Sequence, residues 1–180
     1  MQQSTPQRGV TLIETAITMA VIGVVVATVS PSFSGFIDTR RIDAVAASLH
    51  TDIQFVRQEA VLRNLPVRLS FHTEAWGSCY VVHTGASVDC TCAASGSATC
   101  SGSARQIKTV TIPATDPVAV QANVASILFD PLHGTSTPTG TLRITSRSGR
   151  AVHHVVNVMG RVRSCSPQGV AAAVPGYRAC

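Results

Sequence analysis

The sequence predicts an α+β protein: a long N-terminal helix, its first half apolar and its second half amphipathic, packed on antiparallel β-sheet. Three observations lead there. From Val10 to Val29 the chain is apolar apart from Glu14, Gly23 and a few threonines, a run of the ~20-residue length that crosses a bilayer as a helix. Ile42, Val45, Leu49, Ile53, Val56 and Ala60 then recur at three- and four-residue spacing, the apolar stripe of a helix lying on a core. Beyond Pro66 the period changes to two, as in Val67-Arg68-Leu69-Ser70-Phe71 and Thr141-Leu142-Arg143-Ile144-Thr145, which is the alternation of half-buried strands.

Taken in order, residues 1–9 are polar and end in Arg8-Gly9. An ordinary secretory signal would close its apolar run at a small-residue cleavage site; here the run continues into Ser30-Pro31, so the glycine ahead of it is the better processing position. Residues 10–31 are expected to form a transmembrane helix interrupted by Gly23 and Pro31, and residues 32–180 a globular domain with a helix over 32–64 and a β-rich body over 66–180. Pro66 disfavours helical geometry in the residue before it, which places the helix end near Asn64. Asp43, Asp52, Arg57 and Glu59 fall off the apolar stripe. Further strands are expected at residues 79–82, 107–112, 126–129 and 151–158, with Arg147-Ser148-Gly149-Arg150 as a hairpin turn and residues 84–104 as a long loop tethered by disulfide. Trp76 and Tyr80 are expected in the core.

Six cysteines, Cys79, Cys90, Cys92, Cys100, Cys165 and Cys180, all lie beyond the apolar run. That usage fits structural disulfides in an oxidising compartment and places the body outside the cytoplasm. Cys165 and Cys180 follow the last expected strand and close one short loop, so they are expected to pair; the other four stay unassigned. Cys-x-Cys with irregular partners is not zinc-finger spacing, and no metal or cofactor is expected.

The net charge is +5, and its distribution says more than its size. The last acidic residue is Asp130; after it come Arg143, Arg147, Arg150, Arg161, Arg163 and Arg178 with no carboxylate. Such asymmetry suits either a solvated basic surface or an anionic partner. His153-His154 cannot chelate together from a strand, because adjacent residues face opposite sides. No nucleophile elbow is present and no carboxylate follows Asp130 to complete a triad, so an enzyme is not expected.

Gly9 followed by Val10-Thr11-Leu12-Ile13-Glu14 resembles the class III signal of type IV pilins and type II secretion pseudopilins. Arg57-Gln58-Glu59-Ala60-Val61-Leu62-Arg63, Ile127-Leu128-Phe129-Asp130-Pro131 with Gly134, and Gly160-Arg161-Val162-Arg163-Ser164-Cys165 resemble the body of the FimT/GspH minor pilins. The resemblance implies a type IV pilin-like fold, cleavage by prepilin peptidase between Gly9 and Val10, and methylation of Val10, although Val departs from the usual Phe. It implies an inner-membrane protein with a periplasmic body that later enters a pilus among major and minor pilins. Glu14 would then be an assembly residue, neutralised by the N-terminal ammonium of a neighbouring subunit.

In FimT-like members the Gly-Arg-x-Arg motif is associated with DNA binding during natural transformation, which carries over to Gly160, Arg161 and Arg163. Two residues apart in an extended chain, Arg161 and Arg163 would share one face. Gly160 would let a ligand backbone come close, and the Cys165–Cys180 bridge would bring Arg178 near. The alternative is a GspH-like pseudopilin of a secretion system, contacting protein partners. In the bland reading Arg161 and Arg163 cap a sheet edge or pair with Asp116 or Asp130.

Overall fold

The computed structural model describes residues 9–168 and 173–180; the leader residues 1–8 lie outside them. The chain forms two compact units, Met1–Ile37 and Asp38–Cys180. The helical element α1 (Leu12–Arg63) contributes to both, and Gly23 does not end it. In the first unit, Thr11 caps the helix: the Glu14 amide donates to the Thr11 carbonyl at 3.1 Å and faces its Oγ1 at 3.4 Å. Thr11 with Glu14 three residues on has the spacing of a capping box, and the carboxylate complements the positive end of the helix dipole. Among the described residues no single helix is long and apolar enough to cross a membrane; Leu12–Thr28 and Phe33–Arg63 meet that criterion only as a pair.

In the second unit, twelve strands follow the helix among the described residues: β1 (Val67–Glu74), β2 (Gly77–His83), β3 (Cys90–Cys92), β4 (Ala98–Cys100), β5 (Gln106–Pro113), β6 (Val118–Ala122), β7 (Ser126–Phe129), β8 (Ser136–Thr137), β9 (Gly140–Ser146), β10 (Ala151–Val156), β11 (Val162–Ser166) and β12 (Arg178–Ala179). They make a first sheet ordered β5-β2-β1-β7-β8, a second ordered β12-β11-β10-β9-β6, and a small β3-β4 hairpin. Among the described residues the strands pair antiparallel except β11 with β12, and Ala151 of β10 forms an isolated parallel bridge with Ala173. The antiparallel β-sheet expected from the alternation is present, divided over these sheets.

The helical stripe packs on both. Ile42, Leu49, Ile53, Val56 and Ala60 are fully buried with Leu69, Phe129, Leu142, Ile144 and Val152. Asn64 closes the helix at φ 50°, a conformation Asn tolerates better than most residues. Two polar ties fix the domain part of α1 along the sheets. At its start Asp38 accepts from Ser146 at 3.0 Å and from Ser148 in the β9–β10 turn. Near its end Arg57 Nε donates to the Gly134 carbonyl at 3.1 Å.

A third tie involves Asp52, which lies off the apolar stripe yet is enclosed. Its carboxylate is buried, accepts from the Tyr80 hydroxyl at 2.8 Å and pairs with Lys108, the only lysine. Burial, then the Asp52 hydrogen bond, pushes the Tyr80 hydroxyl far above its ordinary pKa, so it stays a donor. Tyr80 is in the core as expected, whereas Trp76 sits half-exposed in the β1–β2 turn.

The long loop holds the β3-β4 hairpin, with Cys90–Cys100 across it and Cys79–Cys92 fastening it to β2. Under it Val81 and His83 are fully buried. His83 Nδ1 bonds the Thr84 carbonyl, which makes that nitrogen the protonated one and leaves Nε2 to accept from Ser70 Oγ at 2.8 Å.

Candidate nucleic-acid interface

Strand register decides which arginines share a surface. Residues directly opposite across a sheet point to the same side. Arg143 of β9 lies opposite His153 of β10, His153 opposite Cys165 of β11, and Cys165 opposite Arg178 of β12. One row therefore runs across four strands on the outer face of the second sheet, spanning roughly 14 Å at about 4.8 Å per strand. In the neighbouring row Arg163 lies opposite Val155, itself opposite Thr141. The inner face carries Leu142, Ile144, Val152, His154 and Val156.

Arg143, Arg161, Arg163 and Arg178 are exposed, and among the described residues none makes an ion pair. The carboxylates that might have neutralised them are engaged elsewhere: Asp130 with His133 and Asp116 with the Val118 amide. The other two late arginines have structural partners. Arg147 donates to the carbonyls of Ala114 and Thr115, and Arg150 to the Thr39 hydroxyl.

Cys165 lies within β11 rather than after the last strand, and is bonded to Cys180. That bridge, with the pairing of β12 on β11, sets Arg178 on this face. Val174 in the core and its amide on Ser166 Oγ at 3.0 Å anchor the same segment from inside. Tyr177 packs on the core and bonds Asp43 of the helix, so it is not a stacking platform beside the arginines.

The two adjacent histidines face opposite ways, as strand geometry requires. His154 is buried, held by the Ala46 carbonyl and Ser164 Oγ, and burial lowers its pKa. His153 joins the basic row, 3.8 Å from Cys180 Sγ; partial burial first, and Arg143 second, lower its pKa. Arg143 and His153 are absent from the motif-based set because nothing local links them to Arg178. The only earlier signal was that 143 and 153 flank one hairpin turn symmetrically.

Gly160 has a different role from the one expected. The turn from Asn157 to Arg161 joins β10 to β11: the Gly160 amide donates to the Asn157 carbonyl at 2.9 Å and the Asn157 amide to the Arg161 carbonyl at 3.0 Å. Gly160 takes φ 68°, as in a three-residue hairpin closed by a glycine bulge. A Cβ there would lie 2.6 Å from the Gly134 carbonyl oxygen and 3.4 Å from Arg57. The space at Gly160 is thus filled by the protein itself. The three body segments that carry the family resemblance converge here, through Arg57, Gly134 and Gly160.

The family model described as type II transport protein GspH matches residues 45–160. The chain belongs to the GspH family. The prokaryotic N-terminal methylation motif matches residues 4–30. Two crystal forms of the type IV minor pilin FimU from Pseudomonas aeruginosa PAO1 share the fold: TM-scores of 0.52 and 0.53, at 16% and 17% identity, covering 71% and 74% of this chain and 98% of each FimU chain. No curated protein matches in sequence. The chain is therefore a pilin-like protein of the GspH family, which is structural rather than catalytic, and its methylation motif and N-terminal helix fit anchoring in the inner membrane before assembly. The GspH match stops at Gly160; it spans the framework of helix and sheets and leaves Arg161, Arg163 and Arg178 outside.

Proposed function

We propose that this GspH-family member is a FimT-like minor pilin that enters a pilus and binds extracellular DNA for natural transformation. The binding site is the outer face of the second sheet, with Arg161, Arg163 and Arg178 at its β11–β12 edge and Arg143 two strands further in on β9. The supporting observation is the set of exposed arginines on β9, β11 and β12 that make no ion pair among the described residues. Guanidinium groups suit phosphate oxygens by shape as well as charge, and a flat face without aromatic side chains recognises backbone rather than bases. Binding is then independent of sequence. The six bridged cysteines support a single-pass protein with its body in the periplasm, processed by prepilin peptidase between Gly9 and Val10, methylated at Val10, and assembled with other pilins through Glu14.

The test uses the soluble body from Ser32 onward in a gel shift with duplex DNA across a salt series. Each phosphate neutralised contributes about −0.9 to the slope of log K against log salt, so four arginines give roughly −3 to −4. Arg161→Gln with Arg163→Gln is expected to make the slope shallower by about two units while the domain stays folded. Unchanged binding by the folded double variant rejects the assignment and leaves the pseudopilin reading, with protein partners at this face.

A further inference from the structure

A second surface lies at the end of the domain where α1 stops. Of the large apolar side chains exposed on the second unit, Val61, Leu62, Leu65, Leu132, Val158 and Met159 fall on three segments: the helix end, the loop after β7, and the β10–β11 turn. These segments are joined. Arg57 binds the Gly134 carbonyl, the Ser136 amide donates to the Val158 carbonyl at 2.9 Å, and Ser136 Oγ donates to the Asn157 carbonyl at 2.6 Å. Leu62 and Leu132 keep 79% and 77% of their surface in solvent. Scattered exposed apolar residues are ordinary, but a contiguous set around a concavity marks a contact site.

The concavity is a groove of about 500 Å³ whose walls include Val61, Leu62 and Leu132, with Arg57, Gln58 and His133 supplying its polar groups. Its charge is unbalanced. Asp130 is occupied by His133 and by the amides of Leu132 and His133, and Glu59 by Arg63. Arg57 uses Nε on Gly134 and has no carboxylate partner among the described residues. No lining residue is acidic. A half-buried guanidinium between apolar walls calls for a carboxylate flanked by an apolar side chain, because a charge-assisted bond there is stronger than in open water.

We propose that this groove docks an acidic-apolar segment of a different pilin subunit in the same fibre, a carboxylate reaching Arg57 while its apolar neighbour packs between Leu62 and Leu132. The proposal rests on family membership and is independent of the DNA reading, since the groove and the arginine row use different residues.

The full-length protein is tested in cells that assemble the fibre. A photoreactive benzoylphenylalanine in place of Leu132, with the same replacement at exposed Val88 as a control, is cross-linked in sheared fibres and the attached peptide sequenced. The expected product joins position 132 to another pilin at a peptide holding an apolar residue beside Asp or Glu, with no such product from position 88. A product with a second copy of this chain, a product with a non-pilin protein or a non-acidic peptide, or equal products from both positions overturns the proposal, as does no product. In parallel, Leu62→Glu with Leu132→Glu is expected to lower incorporation into fibres at least about tenfold, with the melting temperature and DNA gel shift of the soluble body unchanged. Normal incorporation of that variant also overturns it.

Discussion

Replacing Gly160 by alanine separates a glycine kept for a ligand from a glycine kept for the fold. At φ 68° an L-residue carries about 1–2 kcal/mol of backbone strain. The new Cβ also meets the Gly134 carbonyl oxygen at 2.6 Å, inside any ordinary contact, so either the turn or the loop must move. Movement there endangers the Arg57–Gly134 and Ser136–Val158 hydrogen bonds, each contributing about 1 kcal/mol. The total is about 2–4 kcal/mol, or roughly 5–15 °C in melting temperature for a domain of this size. Gly102 provides the control: it has φ 61° with nothing within 4 Å of its Cβ position, so Gly102→Ala carries the strain alone, about 1–2 kcal/mol. Urea unfolding of the soluble body measures both, and a gel shift well below the melting temperature is expected to stay within about twofold of the parent, since the arginines are untouched. Equal stability losses for the two variants would refute the packing argument. A large loss of DNA affinity in a fully folded Gly160→Ala would restore the idea that a ligand passes close to this residue.

Other outcomes follow from the same structure. Asp52→Ala leaves the Tyr80 hydroxyl and Lys108 without their acceptor and is expected to cost about 2–4 kcal/mol in urea unfolding; combining it with Tyr80→Phe should recover part of that, and strict additivity would disprove the coupling. His83 and His154 have folded-state pKa values lowered first by burial, so between those values and the unfolded value near 6.5 the unfolded chain holds more protons. Stability should therefore fall as pH drops below about 6.5, by up to ~1.4 kcal/mol per pH unit for each histidine; a urea midpoint that is flat from pH 7.5 to 5 would contradict their buried placement. Glu14→Ala is expected to leave the protein in the membrane fraction while reducing fibre incorporation several-fold, and normal incorporation would remove the assembly role.

The helix was legible because its signal is local. Six apolar residues at helical spacing state both the element and its buried face, and Asn64-Leu65-Pro66 states its end. The partners of Asp52 were not legible for the same reason: Tyr80 and Lys108 reach it from distant strands. β6 and β11 were missed because Val118-Ala119-Val120-Gln121-Ala122 alternates only weakly, and Val162-Arg163-Ser164-Cys165-Ser166 carries too few large apolar residues to read as a strand. Missing β11 also hid the composition of the basic face. Arg143 and Arg178 come to share one row only through three successive pairings, and register of that kind is set by the whole sheet. The Gly-Arg-x-Arg segment could be seen in the chain, but only the fold assigns its glycine to packing against Gly134 and its arginines to the surface.

The bridges Cys79–Cys92 and Cys90–Cys100 interleave along the chain, with Cys90 and Cys92 separated by Thr91 alone. Exchanging those two cysteines would slide β3 by two residues, and a two-residue slip preserves which side chains face inward. The usual penalty against a shifted strand, apolar groups turned out to water, is therefore weak in this hairpin. What distinguishes the native arrangement is that Cys90 is fully enclosed and directly opposite Cys100. Choosing between the two pairings thus falls to thiol exchange rather than to hydrophobic sorting, and the yield of oxidative refolding of the body should depend on redox conditions more than on temperature.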